Sequence, residues 1–150
     1  MNEALKRERR ADILIVDDAP ENLDVLTEIL GNAGYDLRPV TDADAALRAA
    51  SRKPPDLVLL DIYMPGMDGL ALCGKLKTDR RLMSIPVIFI SGLTGREDIG
   101  KAFSAGGADY IVKPFQPEEV LARVEAQLEL RALRSALELY KSKYGAIEKL

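Results

Sequence analysis

A chain of 150 residues, 47% of them apolar, is long enough for one domain with its own core. A net charge of −3 argues against a general nucleic-acid or membrane-surface binder. The single Cys73 excludes a disulfide framework or thiolate cluster, and the absence of histidine removes histidine triads, histidine metal sites and histidine phosphoacceptors.

In chain order, the first ten residues, MNEALKRERR, are basic without an apolar core. They do not form a secretory signal and are expected to be flexible. Ile13 to Val16 is a short apolar run closed by Asp17-Asp18. Pro20 to Leu30 reads as a helix, with Leu23, Leu26, Ile29 and Leu30 at helical spacing and Gly31 and Gly34 as stops. Tyr35 to Val40 is a weaker strand. Thr41 is placed to N-cap a helix to about Ser51, with Asp42 and Asp44 in its first turn. After Pro54-Pro55 comes a buried strand, Asp56 to Asp61, then a Pro-Gly turn and a helix from about Asp68 to Lys77. Cys73 falls among Leu70, Leu72 and Leu76 and reads as a buried helical thiol. Pro86 to Ser91 is a further strand, Arg96 to Ala105 a helix, and Asp109 to Val112 a fifth strand before Lys113-Pro114. The last helix starts near Pro117, with Glu118 and Glu119 in its first turn.

Strands alternating with helices, (βα)5, imply an α/β fold with a parallel sheet covered on both faces. In such sheets the ligand crevice lies outside the carboxyl ends of the strands. Asp17, Asp18, Asp61, Ser91 and Lys113 all stand at strand ends and are expected to meet there. Three clustered acids repel one another and raise each other's pKa values. A hard divalent cation such as Mg²⁺ relieves that repulsion. Lys113 and Ser91 add a positive charge and a hydroxyl donor, a set suited to stabilising a transferring phosphoryl group. A carboxylate can itself be the nucleophile, and Asp61 is the central one of the three strand tips. Each residue taken alone has an ordinary reading: Asp18 an N-cap paired with Glu21, Ser91 a turn hydroxyl, Lys113 a solvated charge, Tyr110 a core-facing strand residue. Their joint placement is hard to explain as accident.

The stretches ILIVDD (13–18), PDLVLLDIYMPGMDG (55–69), PVIFISG (86–92) and ADYIVKPF (108–115) resemble those of two-component response-regulator receiver domains. The resemblance implies a flavodoxin-like, doubly wound sheet of five parallel strands in the order 2-1-3-4-5, to which the tail of this chain adds an extended C-terminal helix. It implies a receiver over residues 11–128 that takes a phosphoryl group on Asp61 from a sensor histidine kinase or a phosphotransfer protein. It further implies Mg²⁺ bound by Asp18 directly, by Asp17 largely through water, and by Asp61 and the Tyr63 carbonyl. Ser91 would bond a phosphoryl oxygen, Lys113 would pair with Asp61, Tyr110 would be the switch aromatic, and Lys113-Pro114 would be cis. Tyr63 and Leu93 occupy the two positions that tune hydrolysis in this family, and neither offers an amide or a carboxylate. Gly106-Gly107 departs from the commoner single-glycine pattern, a departure expected to be minor.

Residues 129–150 keep good helix formers. Leu130, Leu133, Leu137, Tyr140, Tyr144 and Ile147 alternate at spacings of three and four, a heptad seam of limited length. A helix folded back on its own domain would explain it. A homodimer through a second copy of the helix explains it better, because Val120, Leu121, Val124 and Leu128 already serve the sheet. The stretch is too short for a helix-turn-helix output, so it reads as a dimerising helix or a linker toward an output domain. The expected setting is cytoplasmic, with no membrane or direct nucleic-acid contact. A Mg²⁺-dependent phosphohydrolase would usually carry a second acid where Tyr63 stands. A flavodoxin-like cofactor carrier would need a Ser/Thr/Gly-rich loop where this chain has DDAPEN. A non-phosphorylated binding domain of the same fold would not need the full set of site residues.

Overall fold

The computed structural model describes residues 10–93 and 95–148, with side chains through 145. Five strands, β1 (Asp12–Val16), β2 (Asp36–Val40), β3 (Leu57–Asp61), β4 (Val87–Ser91) and β5 (Asp109–Val112), form one parallel sheet in the order β2-β1-β3-β4-β5. Five helices connect and cover them: α1 (Pro20–Asn32), α2 (Ala43–Arg52), α3 (Gly69–Thr78), α4 (Arg96–Ser104) and α5 (Pro117–Glu148).

The strands bury both faces, so alternate residues feed two separate cores. Ile13, Ile15, Leu57, Leu59, Ile88 and Ile90 pack with Leu26 and Leu30 of α1 and Val120 and Val124 of α5. Leu14, Val16, Val58, Leu60, Val87 and Phe89 pack with α2, α3 and Ala102 of α4. Cys73 is fully buried in this second core. Pro39 is tolerated because β2 is an edge strand.

Two local readings are corrected. The N-cap of α2 is Asp42, not Thr41: its carboxylate accepts from the Ala45 N–H at 2.7 Å. The glycine pair is not minor. Gly106 has φ of +108°, and a Cβ on Gly107 would lie 2.6 Å from the Phe89 ring and 2.9 Å from the Ala102 carbonyl oxygen. One glycine serves the turn and the other serves packing.

The C-terminal helix extends for 32 residues, about 48 Å at ~1.5 Å per residue. Its first half packs on the sheet. Its second half does not fold back on the domain: Leu130, Leu133, Leu137, Tyr140 and Tyr144 are all exposed. The Tyr140 and Tyr144 rings lie 4.7 Å apart, centroid to centroid. The Ile147 side chain and residues 149–150 lie outside what is described, as do residues 1–9.

Candidate functional site

Asp17 directly follows β1, and Asp61 closes β3. The apolar residues before each carboxylate hold these strands in the sheet, so the strand ends carry the acids to its carboxyl edge. Carboxylate oxygens of Asp17, Asp18 and Asp61 lie within 4.8 Å of one another, with Asp17 and Asp61 buried and Asp18 exposed. Asp17 is fixed by the Ala19 N–H at 2.9 Å and by the Asn22 side-chain amide at 3.2 Å. The helix that follows is capped by Ala19 without a side-chain bond, so the Asp18–Glu21 capping pair is not formed. That leaves Asp18 free of a capping role, beside the other two acids. Such a set of hard oxygen donors is suited to a divalent cation.

Asp61 is held in place by the loop after it. The Gly69 N–H donates to the Ile62 carbonyl at 2.7 Å, and Gly66 turns the chain at φ +78°. A Cβ on Gly69 would run into the Asp61 carbonyl oxygen, so glycine permits the loop to close on the strand tip. The Tyr63 N–H donates to Asp61 Oδ1 at 3.3 Å. Burial pushes the Asp61 carboxyl pKa up, and the Asp17 charge adds to the rise; Lys113 and the Tyr63 N–H oppose it.

Lys113 is not a solvated charge. Its Nζ lies 3.3 Å from Asp17 Oδ2 and 3.5 Å from Asp61 Oδ2, so it bridges two strand ends. The Lys113-Pro114 bond is cis. Ser91 is buried, and its Oγ accepts from the Leu93 N–H at 3.1 Å, which leaves the hydroxyl proton free to donate elsewhere. Asp61, Tyr63, Ser91, Gly92, Leu93 and Lys113 line one open pocket. Tyr63 and Leu93 are exposed beside it. Tyr110 lies in the core, its hydroxyl donating to the Leu93 carbonyl at 2.8 Å. The sequence reading missed the roles of Asn22 and Gly69. Asn22 sits one helical turn beyond the acidic pair, and the second glycine of PGMDG was the signal for the close approach.

The response regulator receiver domain profile matches residues 13–125. The DNA-binding response regulator MtrA of Mycolicibacterium smegmatis is 39% identical over 119 residues, 79% of this chain and 51% of that protein. The response regulator PleD of Caulobacter vibrioides is 40% identical over 116 residues, 77% of this chain and 26% of that protein. A crystal structure of NtrX from Brucella abortus superposes with a TM-score of 0.83 at 34% identity, covering 91% of this chain and 30% of that one. The chain thus spans about half the length of MtrA and a smaller share of the other two.

Proposed function

This chain belongs to the response regulator receiver family, the phosphoryl-accepting modules of two-component signalling, and we propose that Asp61 is its phosphoacceptor. The observation that carries this reading is the position of Asp61, buried at a strand tip with Lys113 on one side and the Ser91 hydroxyl lining the same pocket. A histidine kinase or phosphotransfer protein is the donor. An Asp61 oxygen forms the new P–O bond as the donor's P–N bond breaks. Lys113 neutralises charge on the phosphoryl oxygens, and Ser91 turns its free proton to one of them.

Asp17, Asp18 and Asp61, with the Tyr63 carbonyl, would hold Mg²⁺. The ion would neutralise charge between the acids and the incoming phosphoryl group. The three carboxylates and the raised Asp61 pKa fit that role, because the site has more negative charge than Lys113 can balance. Asp18, the exposed member, has the open side for direct ligation. Asp17, already engaged by Ala19 and Asn22, would act through water.

The chain is a signalling module that assists its own phosphorylation and dephosphorylation rather than an enzyme acting on other substrates. When Ser91 turns toward the phosphoryl group, the loop at Leu93 moves with it, and the Tyr110 ring follows because its hydroxyl is bonded to that loop. The receiver spans residues 11–128. Residues 129–148 extend it as a helix that pairs with a second copy of itself. No described helix is long and apolar enough to cross a membrane; the reading adopted is cytoplasmic, without direct nucleic-acid contact by this chain.

Acetyl phosphate with Mg²⁺ tests the assignment. Intact-mass measurement is expected to show one phosphoryl group on the parent protein and none on Asp61→Asn. Equal uptake by both, or none by the folded parent, refutes it.

A further inference from the structure

Beyond Leu128 the long helix leaves the body of the domain, and among the described residues one side chain still hydrogen-bonds to it. From Glu129 through Tyr144 every residue is exposed except Arg131. Arg131 Nη1 donates to Asp56 Oδ1 at 3.0 Å and to the Pro55 carbonyl at 3.5 Å.

The acceptor is firmly fixed. Asp56 Oδ2 accepts from the Asp12 N–H at 2.7 Å, and the Asp56 N–H donates to the Asp12 carbonyl at 2.8 Å. Asp12 is in turn held by Arg38 at 3.0 Å, which also bonds the Ala49 and Lys53 carbonyls at the end of α2. The anchor therefore joins β1, β2, the entry to β3 and the end of α2, while the arm belongs to α5.

Open space lies on each side of the arm. One cleft is lined by Lys77, Met83, Pro86, Leu130 and Arg134, the other by Ala11, Leu128, Ala132 and Ser135, and Arg131 borders both. The helix is unbroken from Pro117 to Glu148, so its packed inner turns carry its direction outward, and within one chain the outer turns are free to bend between the two clefts wherever Arg131 does not hold them.

We propose that the Asp56–Arg131 ion pair is a latch that sets the direction in which the outer half of α5 leaves the domain. When the pair opens, that half swings about Leu128 while the two cores stay intact. The latch lies at the opposite end of β3 from Asp61, roughly 17 Å away at ~3.3 Å per residue. Both partners are partly exposed, so dissolved salt screens the pair and weakens it.

Distance measurement between two spin labels tests it. The labels replace Leu139 and Arg48 in a Cys73→Ser background, diluted with unlabelled protein so that only distances within one chain are read. Position 139 lies about 17 Å along the helix beyond Leu128, so a tilt of roughly 20° moves that point by ~6 Å. At low salt a narrow distribution is expected. Asp56→Asn and Arg131→Gln should each roughly double its width with helix content unchanged by circular dichroism. Molar salt should broaden the parent and leave both variants as they were. The salt arm needs no substitution in the pair, so a variant that fails to fold does not remove the test. A parent distribution as wide at low salt as at high salt, or as wide as the variants', overturns the latch.

Discussion

The Tyr110 hydroxyl donates to the Leu93 carbonyl at 2.8 Å, and the Leu93 N–H donates to Ser91 Oγ at 3.1 Å. One loop residue thus connects the ring of β5 to the hydroxyl in the Asp61 pocket. Tyr110→Phe removes the outer bond and keeps the ring. The expected loss is about 0.5–1.5 kcal/mol of stability, with faster amide exchange at Leu93 and unchanged uptake from acetyl phosphate. Exchange at Leu93 as slow as in the parent would show that the loop is held by something else.

The buried Asp61 carboxylate, beside Asp17, destabilises the folded protein when both are ionised. Because the folded-state pKa lies above its ordinary value of 3.8, the penalty is absent below that value. It grows as the pH rises through the folded-state pKa and is fully present above it. In EDTA at neutral pH, Asp61→Asn is therefore expected to melt higher than the parent, with the gap closing in acid. Millimolar Mg²⁺ should raise the parent's Tm and narrow the gap, since a ligand stabilises the state that binds it. A parent that melts at or above the variant in EDTA contradicts this account.

Tyr63 and Leu93 line the Asp61 pocket and offer no carboxylate or amide to orient an attacking water. Loss of the phosphoryl group is expected to be slow relative to receivers with a carboxylate or amide at these positions. The double replacement Tyr63→Asn, Leu93→Glu should shorten the half-life by roughly an order of magnitude, less than a fully positioned general base supplies. Phosphoprotein decay followed by mass spectrometry measures it, and an equal or longer half-life removes the argument.

The glycines divide by their surroundings. Gly69→Ala and Gly107→Ala force a Cβ against Asp61 backbone and the Phe89 ring, and each should destabilise by about 1–3 kcal/mol. Gly74, inside α3 with nothing within 4 Å of its Cβ position, should gain roughly 0.5–1 kcal/mol on replacement by alanine. Urea titration of the three variants would expose any reversal of this order.

The exposed seam of α5 is expected to hold a parallel homodimer. Burying one leucine stabilises by ~1.5–3 kcal/mol before the losses on association. Parallel pairing also sets Glu129 of one helix beside Arg134 of the other. Sedimentation should show residues 1–150 dimerising and a chain ending at Leu128 monomeric. A disulfide through Leu130→Cys in a Cys73→Ser background should form, because only parallel helices bring its two copies together. A long form that remains monomeric at high micromolar concentration would falsify the dimer.

Most of the site was legible because parallel strands impose order. Once Ile13–Val16, Leu57–Leu60 and Val87–Ile90 are strands, hydrogen bonding between neighbours brings Asp17, Asp61 and Ser91 to one edge. Their residue types then restrict the chemistry. What failed to be legible was local competition: whether Thr41 or Asp42 caps α2, or whether Asp18 caps α1, depends on backbone angles that propensity does not fix.

The alternation of strand and helix, the acidic crevice and the heptad spacing of the tail are legible in the residue pattern, because each is a periodicity or a strand end. That Lys113 bridges Asp17 as well as Asp61 and that Gly107 makes room for Phe89 emerges only in the packed fold. So does the contact of Arg131 with Asp56, 75 residues away along the chain. These contacts join residues distant in sequence, and their geometry exists only after the sheet and its covering helices have packed.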